Sequence, residues 1–128
     1  RVDVGVREER RQLGVERRRA KSVQQTEYLI GLWEAALAPF GVKLNSPRDW
    51  RFRGSHVSLG HPQALRIDRA LIEEMKVIPD FRYPDNIRLG LAPLYTSFAE
   101  IHEAVMRLQR VIAEGRYLKY PVERPEVT

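Results

Sequence analysis

The chain contains no cysteine, which excludes disulfides and thiolate metal sites. No apolar run approaches the roughly 20 residues that cross a bilayer. The first residues carry Arg and Glu where a secretory signal would have an apolar segment. Neither G-x-x-x-x-G-K-[ST] nor G-x-G-x-x-G occurs, so the sequence encodes no recognisable phosphate cradle. His56, His61 and His102 have no partner at the i, i+4 spacing of a helical metal site. Ser55 and His56 are adjacent on a predicted strand, so they face opposite ways and do not form a nucleophile–base pair. No internal repeat is visible, which excludes a solenoid. With 128 residues, 43% hydrophobic and 30% charged, the chain has the size and make-up of one folded domain, with the cytoplasm as its expected location.

Charge is what the N-terminus has in excess. Residues 1–19 hold seven Arg against four acids, three of the chain's five surplus positive charges. Clustered Arg can neutralise phosphates. The acids interspersed here, and the absence of any aromatic before Tyr28, argue against base stacking and favour a solvated leader over residues 1–14.

Helical periodicity is predicted from about Ala20 to Ala38, with Leu29, Ile30, Trp33, Ala36, Leu37 and Phe40 at spacings of three and four. Pro39 and Gly41 stop it. Val42–Leu44 reads as extended and the segment 45–49 as a loop. Arg53–Leu59 alternates as a strand, with Val57 and Leu59 on one face and His56 and Ser58 on the other. After Pro62, the stripe Ala64, Ile67, Leu71 and Met75, joined by Ile72, predicts a second helix. Val77 and Ile78 read as a further extended piece ended by Pro79, and the segment 83–86 as a turn. Ile87, Leu89 and Leu91 then share one strand face, and Arg88 and Gly90 the other. Ser97 and Glu100 have capping-box spacing ahead of Ile101, Val105, Leu108 and Ile112, with Gly115 as the stop. The tail over 119–128 shows no pattern.

This order predicts an α+β domain: a long helix, then a small antiparallel or mixed sheet with helices on one face. Arg88 stands out within it. A guanidinium held on a strand whose other face supplies the core suits bidentate capture of a carboxylate; a plain surface arginine is the alternative at this level.

Three blocks carry a resemblance. Arg53-Gly54-Ser55-His56-Val57-Ser58-Leu59, Val77-Ile78-Pro79-Asp80-Phe81-Arg82-Tyr83-Pro84 and Ile87-Arg88-Leu89-Gly90-Leu91-Ala92-Pro93-Leu94-Tyr95-Thr96-Ser97-Phe98 resemble the C-terminal small domain of bacterial kynureninases. Arg19-Ala20-Lys21-Ser22 is similar too, and the likeness covers roughly residues 15–118. It implies the C-terminal domain of a fold-type-I pyridoxal 5'-phosphate (PLP) enzyme. Such an enzyme is a homodimer that hydrolyses L-kynurenine, and in many cases 3-hydroxykynurenine, to anthranilate or 3-hydroxyanthranilate and L-alanine. The family's substrate-carboxylate arginine falls on Arg88, and a second family arginine near the active site falls on Arg82. None of Lys21, Lys43, Lys76 and Lys119 lies in the family's Schiff-base motif. The expectation is therefore a fragment inactive alone, with no catalytic residue and no bound PLP of its own. Its first helix would expose apolar surface around Trp33 and Leu37, inviting self-association. Two other readings stand beside it: a non-catalytic dimerisation or docking module, and the small domain of an aminotransferase or cysteine desulfurase.

Overall fold

A run of Arg, Glu, Gln and Leu needs no apolar stripe to be helical, because these side chains lose little rotamer freedom in a helix and pair at i, i+3 and i, i+4. That is how the chain begins in the computed structural model, which describes residues 4–74, 79–90 and 97–122. Helix α1 spans Val4–Leu32, starting far ahead of the expected Ala20. Its first half is exposed almost throughout and supported by local pairs such as Arg11 Nη2 to Glu8 Oε1 at 2.7 Å. Hydrophobic periodicity reports contact with a core, so it could not register a helix lying in solvent.

From Ser22 onward α1 turns a face inward, burying Gln25, Thr26, Leu29 and Ile30. A π turn over Trp33–Leu37 and a 3-10 turn over Ala38–Phe40 finish it. Gly41, at φ 84°, reverses the chain in a conformation that costs other residues a steric penalty. Leu37 is fully buried and Trp33 half-buried, its indole N–H donating to the Val42 carbonyl at 2.9 Å. The apolar surface expected to lie open here is thus covered at Leu37 and partly covered at Trp33. Phe40, placed on the same stripe by its spacing, is exposed because the π and 3-10 turns rotate it off the helical face.

Four short strands follow: β1 Lys43–Leu44, β2 His56–Gly60, β3 Asp80–Arg82 and β4 Asn86–Gly90. They form one antiparallel sheet in the order β1-β2-β4-β3. Strand β3 is a correction, since only the residues before Pro79 read as extended. Three residues at a sheet edge are too few for alternation to stand out, and edges tolerate polar sequence. Met75, Val77, Ile78, Leu91 and the Pro93-Leu94-Tyr95 block lie outside the described residues.

Helices α2, Ala64–Glu74, and α3, Phe98–Ala113, complete the domain. The α2 stripe buries Ala64, Ile67, Ala70 and Leu71, while Ile72 faces out, contrary to expectation. In α3, Ile101, Val105, Leu108 and Val111 are buried. The Ser97/Glu100 capping box forms, the Ser97 hydroxyl accepting from Glu100 N at 3.1 Å. The Tyr28 and Phe98 rings meet edge to face at 5.4 Å, joining α1 to the start of α3. All this packs on the Val57/Leu59/Ile87/Leu89 side of the sheet in one core, an α+β arrangement with the helices on one face.

Candidate functional site

The other side of the sheet follows from the pleat. Strands β3 and β4 fold back about Pro84, pairing Asp80 with Arg88, Phe81 with Ile87 and Arg82 with Asn86. On its far side β4 pairs with β2, setting Ser58 against Arg88 and His56 against Gly90. Directly paired residues share a face. With Ile87, Leu89, Val57 and Leu59 committed to the core, the residues between them must point away from it. The outer face therefore carries a row Ser58–Arg88–Asp80, flanked by Arg82, Asn86, His56 and Gly90.

Arg88 is the centre of this row. Its Nη2 donates to Asp80 Oδ2 at 2.8 Å, and the Arg82 Nη2 stands 3.7 Å from the same oxygen. The Arg88 side chain is 29% exposed, against 55% for Arg82 and 63% for Asp80, so Arg88 is the most enclosed of the three. The hydrogen bond from Arg88 holds the Asp80 carboxyl below its ordinary value, aided by the charges of Arg88 and Arg82. Asp80 is thus an anion at neutral pH, and two guanidiniums against one carboxylate leave the cluster positive. Among the described residues, its chain neighbours apart, no atom lies within 4 Å of where a Cβ would stand on Gly90, two residues along the same face. At the other end, Asn45 Nδ2 donates to Asn86 Oδ1 at 2.6 Å, and a Cβ on Gly60 would collide with the Asn45 amide. Among the described residues the face is filled at the Gly60 end and open at the Gly90 end. A partly enclosed arginine with spare donors beside such a gap can bind a carboxylate through paired hydrogen bonds.

Both arginines singled out from the sequence are therefore brought to one face, around a shared acid. Asp80 itself was missed, although a signal existed: a turn centred on Pro84 places it opposite Arg88. The histidines are dispersed. His56 is exposed on the outer face, His61 is half-buried in the turn before α2 with Nδ1 accepting from Gln63 N at 2.9 Å, and His102 is exposed on α3. Arg53, from the first resemblance block, is buried. Its Nη2 donates to Thr26 Oγ1 at 2.8 Å and Glu27 Oε1 at 2.7 Å, and its Nη1 to the carbonyls of Pro47 and Arg48 at 3.2 and 2.8 Å. It ties α1 to the loop that leads into β2.

Residues 18–108, which include the whole sheet, match the family model described as the kynureninase C-terminal domain. The chain belongs to the kynureninase family. It is 43% identical over 114 residues to a kynureninase of Geobacillus thermodenitrificans, covering 89% of this chain and 26% of that protein. The kynureninase of Shouchella clausii is 41% identical over the same length, and that of Bacillus thuringiensis subsp. konkukian 36%, with the same coverage of 89% and 26%. The chain thus spans about a quarter of the length of these kynureninases and corresponds to the family's C-terminal part.

Kynureninases are generally PLP-dependent, but the described residues do not fit that group. Lys21 and Lys43 are exposed, the latter on β1, two strands away from Arg88. The Lys119 ammonium is engaged by Glu74 Oε1 at 2.8 Å. None of these three is held in an enclosed position, and Lys76 lies outside the described residues.

Proposed function

We propose that this kynureninase domain supplies the substrate-carboxylate contact of an enzyme that hydrolyses L-kynurenine, with Arg88 as the contact and Arg82 as a weaker, outer one. PLP, in this reading, is held by residues other than those described, and the working enzyme is a homodimer. The observation that carries the reading is the placement of Arg88. It is anchored on a central strand, points away from the core, and shares its face with Gly90, where the described residues leave space. Kynurenine is an α-amino acid, and its carboxylate matches a guanidinium fork in shape and charge.

Joining this chain to the remainder of the Geobacillus thermodenitrificans kynureninase, in place of the matching region, gives the test. Arg88→Ala should lower kcat/KM for L-kynurenine by at least about a hundredfold, equivalent to roughly 2.7 kcal/mol of lost transition-state stabilisation. Arg88→Lys should also be impaired, because an ammonium lacks the planar fork. PLP retention, followed by absorbance after gel filtration, should survive in both. Activity within a few fold of the parent fusion would remove Arg88 from the site.

A further inference from the structure

Asp80 raises a question that its environment answers. It is 63% exposed on an edge strand, so its carboxylate has no burial to offset, and exposed ion pairs add little to folding stability. Its consequence must be sought in what it does to Arg88. A long arginine side chain loses rotamer freedom when it is held, a cost that a ligand would otherwise have to overcome on binding. Asp80 stands directly across the β3–β4 ladder from Arg88 and takes Nη2 with a single oxygen.

The stoichiometry of that contact matters. Nη2 carries two hydrogens, one facing Nη1 and one facing Nε, and a carboxylate fork uses one of them together with a hydrogen of the neighbour it faces. Asp80 occupies one Nη2 hydrogen, and whichever it takes, the other still forms a complete fork. Among the described residues the Arg88 side chain has no other hydrogen-bond partner. Arg82, at 3.7 Å, balances the Asp80 charge, so an incoming anion still meets net positive charge.

We propose that Asp80 is a positioning residue, which fixes the Arg88 guanidinium with one fork open for the substrate carboxylate; this rests on the carboxylate reading of Arg88. Asp80 touches no reacting atom. It sets the orientation of a group that binds, so its removal falls on ligands with a carboxylate and spares those without one.

In the fusion described above, Asp80→Ala should raise KM for L-kynurenine about tenfold while kcat stays within about threefold. Asp80→Asn, which keeps the shape and loses the charge, should fall between. The inhibition constant of a kynurenine analogue lacking the carboxyl group should not move. In an Arg88→Lys background, Asp80→Ala should add no further rise. A KM within twofold of the parent, where Arg88→Ala has cost its hundredfold, overturns the positioning role and leaves the carboxylate reading standing. Equal losses for ligands with and without the carboxylate also overturn it, since they report a general structural defect. A harmless Arg88→Ala defeats the carboxylate reading itself. The chain alone gives a second, activity-free measurement. The Arg88 Nε–Hε NMR signal should show an ordered side chain in the parent and a rapidly averaging one in Asp80→Ala, with backbone amides elsewhere unchanged. An equally ordered signal in both sinks the proposal.

Discussion

Strands β2 and β4 show two faces built from alternate residues of the same ten positions. Val57, Leu59, Ile87 and Leu89 are at most 8% exposed and carry the core. Ser58, Asn86 and Arg88 are partly exposed, His56 and Gly90 are exposed, and only Gly60, which has no side chain, is buried on that side. One face is specified by volume and the other by charge and hydrogen-bond geometry. The backbone that fixes the first therefore fixes the second for nothing extra, because a pleated strand that has buried its odd residues has no freedom left in the direction of its even ones. The domain uses its hydrophobic core as a rigid mount for Arg88.

The sharpest way to break this comparison is to cut one side chain from each face. Leu59→Ala should destabilise the chain by about 2–5 kcal/mol, the usual cost of emptying a buried leucine site, read as a shift in the urea midpoint. Arg88→Ala should shift that midpoint far less, since it leaves no cavity. Comparable shifts would mean that the outer face is structural as well.

A second test concerns a charge on the packed side. Asp68, on α2, is only 7% exposed, and its Oδ1 has no hydrogen-bond partner among the described residues. Burial foremost, then the charge of Asp80, raises its pKa from 3.8 to about 6, against the pull of Arg69. The folded state therefore binds this proton more tightly than the unfolded one. The resulting stabilisation is complete below pH 3.8 and is lost as pH rises through about 6. Asp68→Asn should therefore be more stable than the parent at pH 7.5, by an amount on the order of 1–2 kcal/mol, with the gain vanishing below about pH 4. Denaturation at both pH values checks the sign, and a gain independent of pH would show that the carboxylate is already solvated.

The smallest effect belongs to an apolar residue that spacing assigned to the wrong side. Ile72 is 40% exposed, so Ile72→Lys should leave stability within about 0.5 kcal/mol. A large loss would place Ile72 in the core after all.

Much of this was legible beforehand. The β2 and β4 alternations, the α2 and α3 stripes and the Ser97/Glu100 cap are written in local spacing, which needs no knowledge of partners. Arg88 could be assigned a face for the same reason, and Arg82 was identified through resemblance. The exposed half of α1 escaped because its helicity comes from propensity and ion pairs rather than from an apolar stripe. Strand β3 escaped because three residues give too short a pattern. The Arg53 bonds to Thr26 and Glu27 span 27 and 26 residues, a separation at which no local pattern operates.

Sequence by itself determined the α+β class, the order of most elements, the family, and the side of β4 on which Arg88 stands. The family came from the resemblance of three sequence blocks; the rest depend on composition and on periods of two or 3.6 residues. Tertiary structure alone decided that Asp80 would face Arg88 at 2.8 Å, with Arg82 behind it at 3.7 Å. It likewise decided that Leu37 would be covered, Trp33 half so, and Phe40 left out. The physical reason is that a period says which way a side chain points from its own backbone. What it meets there is set by the register of a neighbouring strand and by where a helix ends, and both are fixed only when the separate elements share one core.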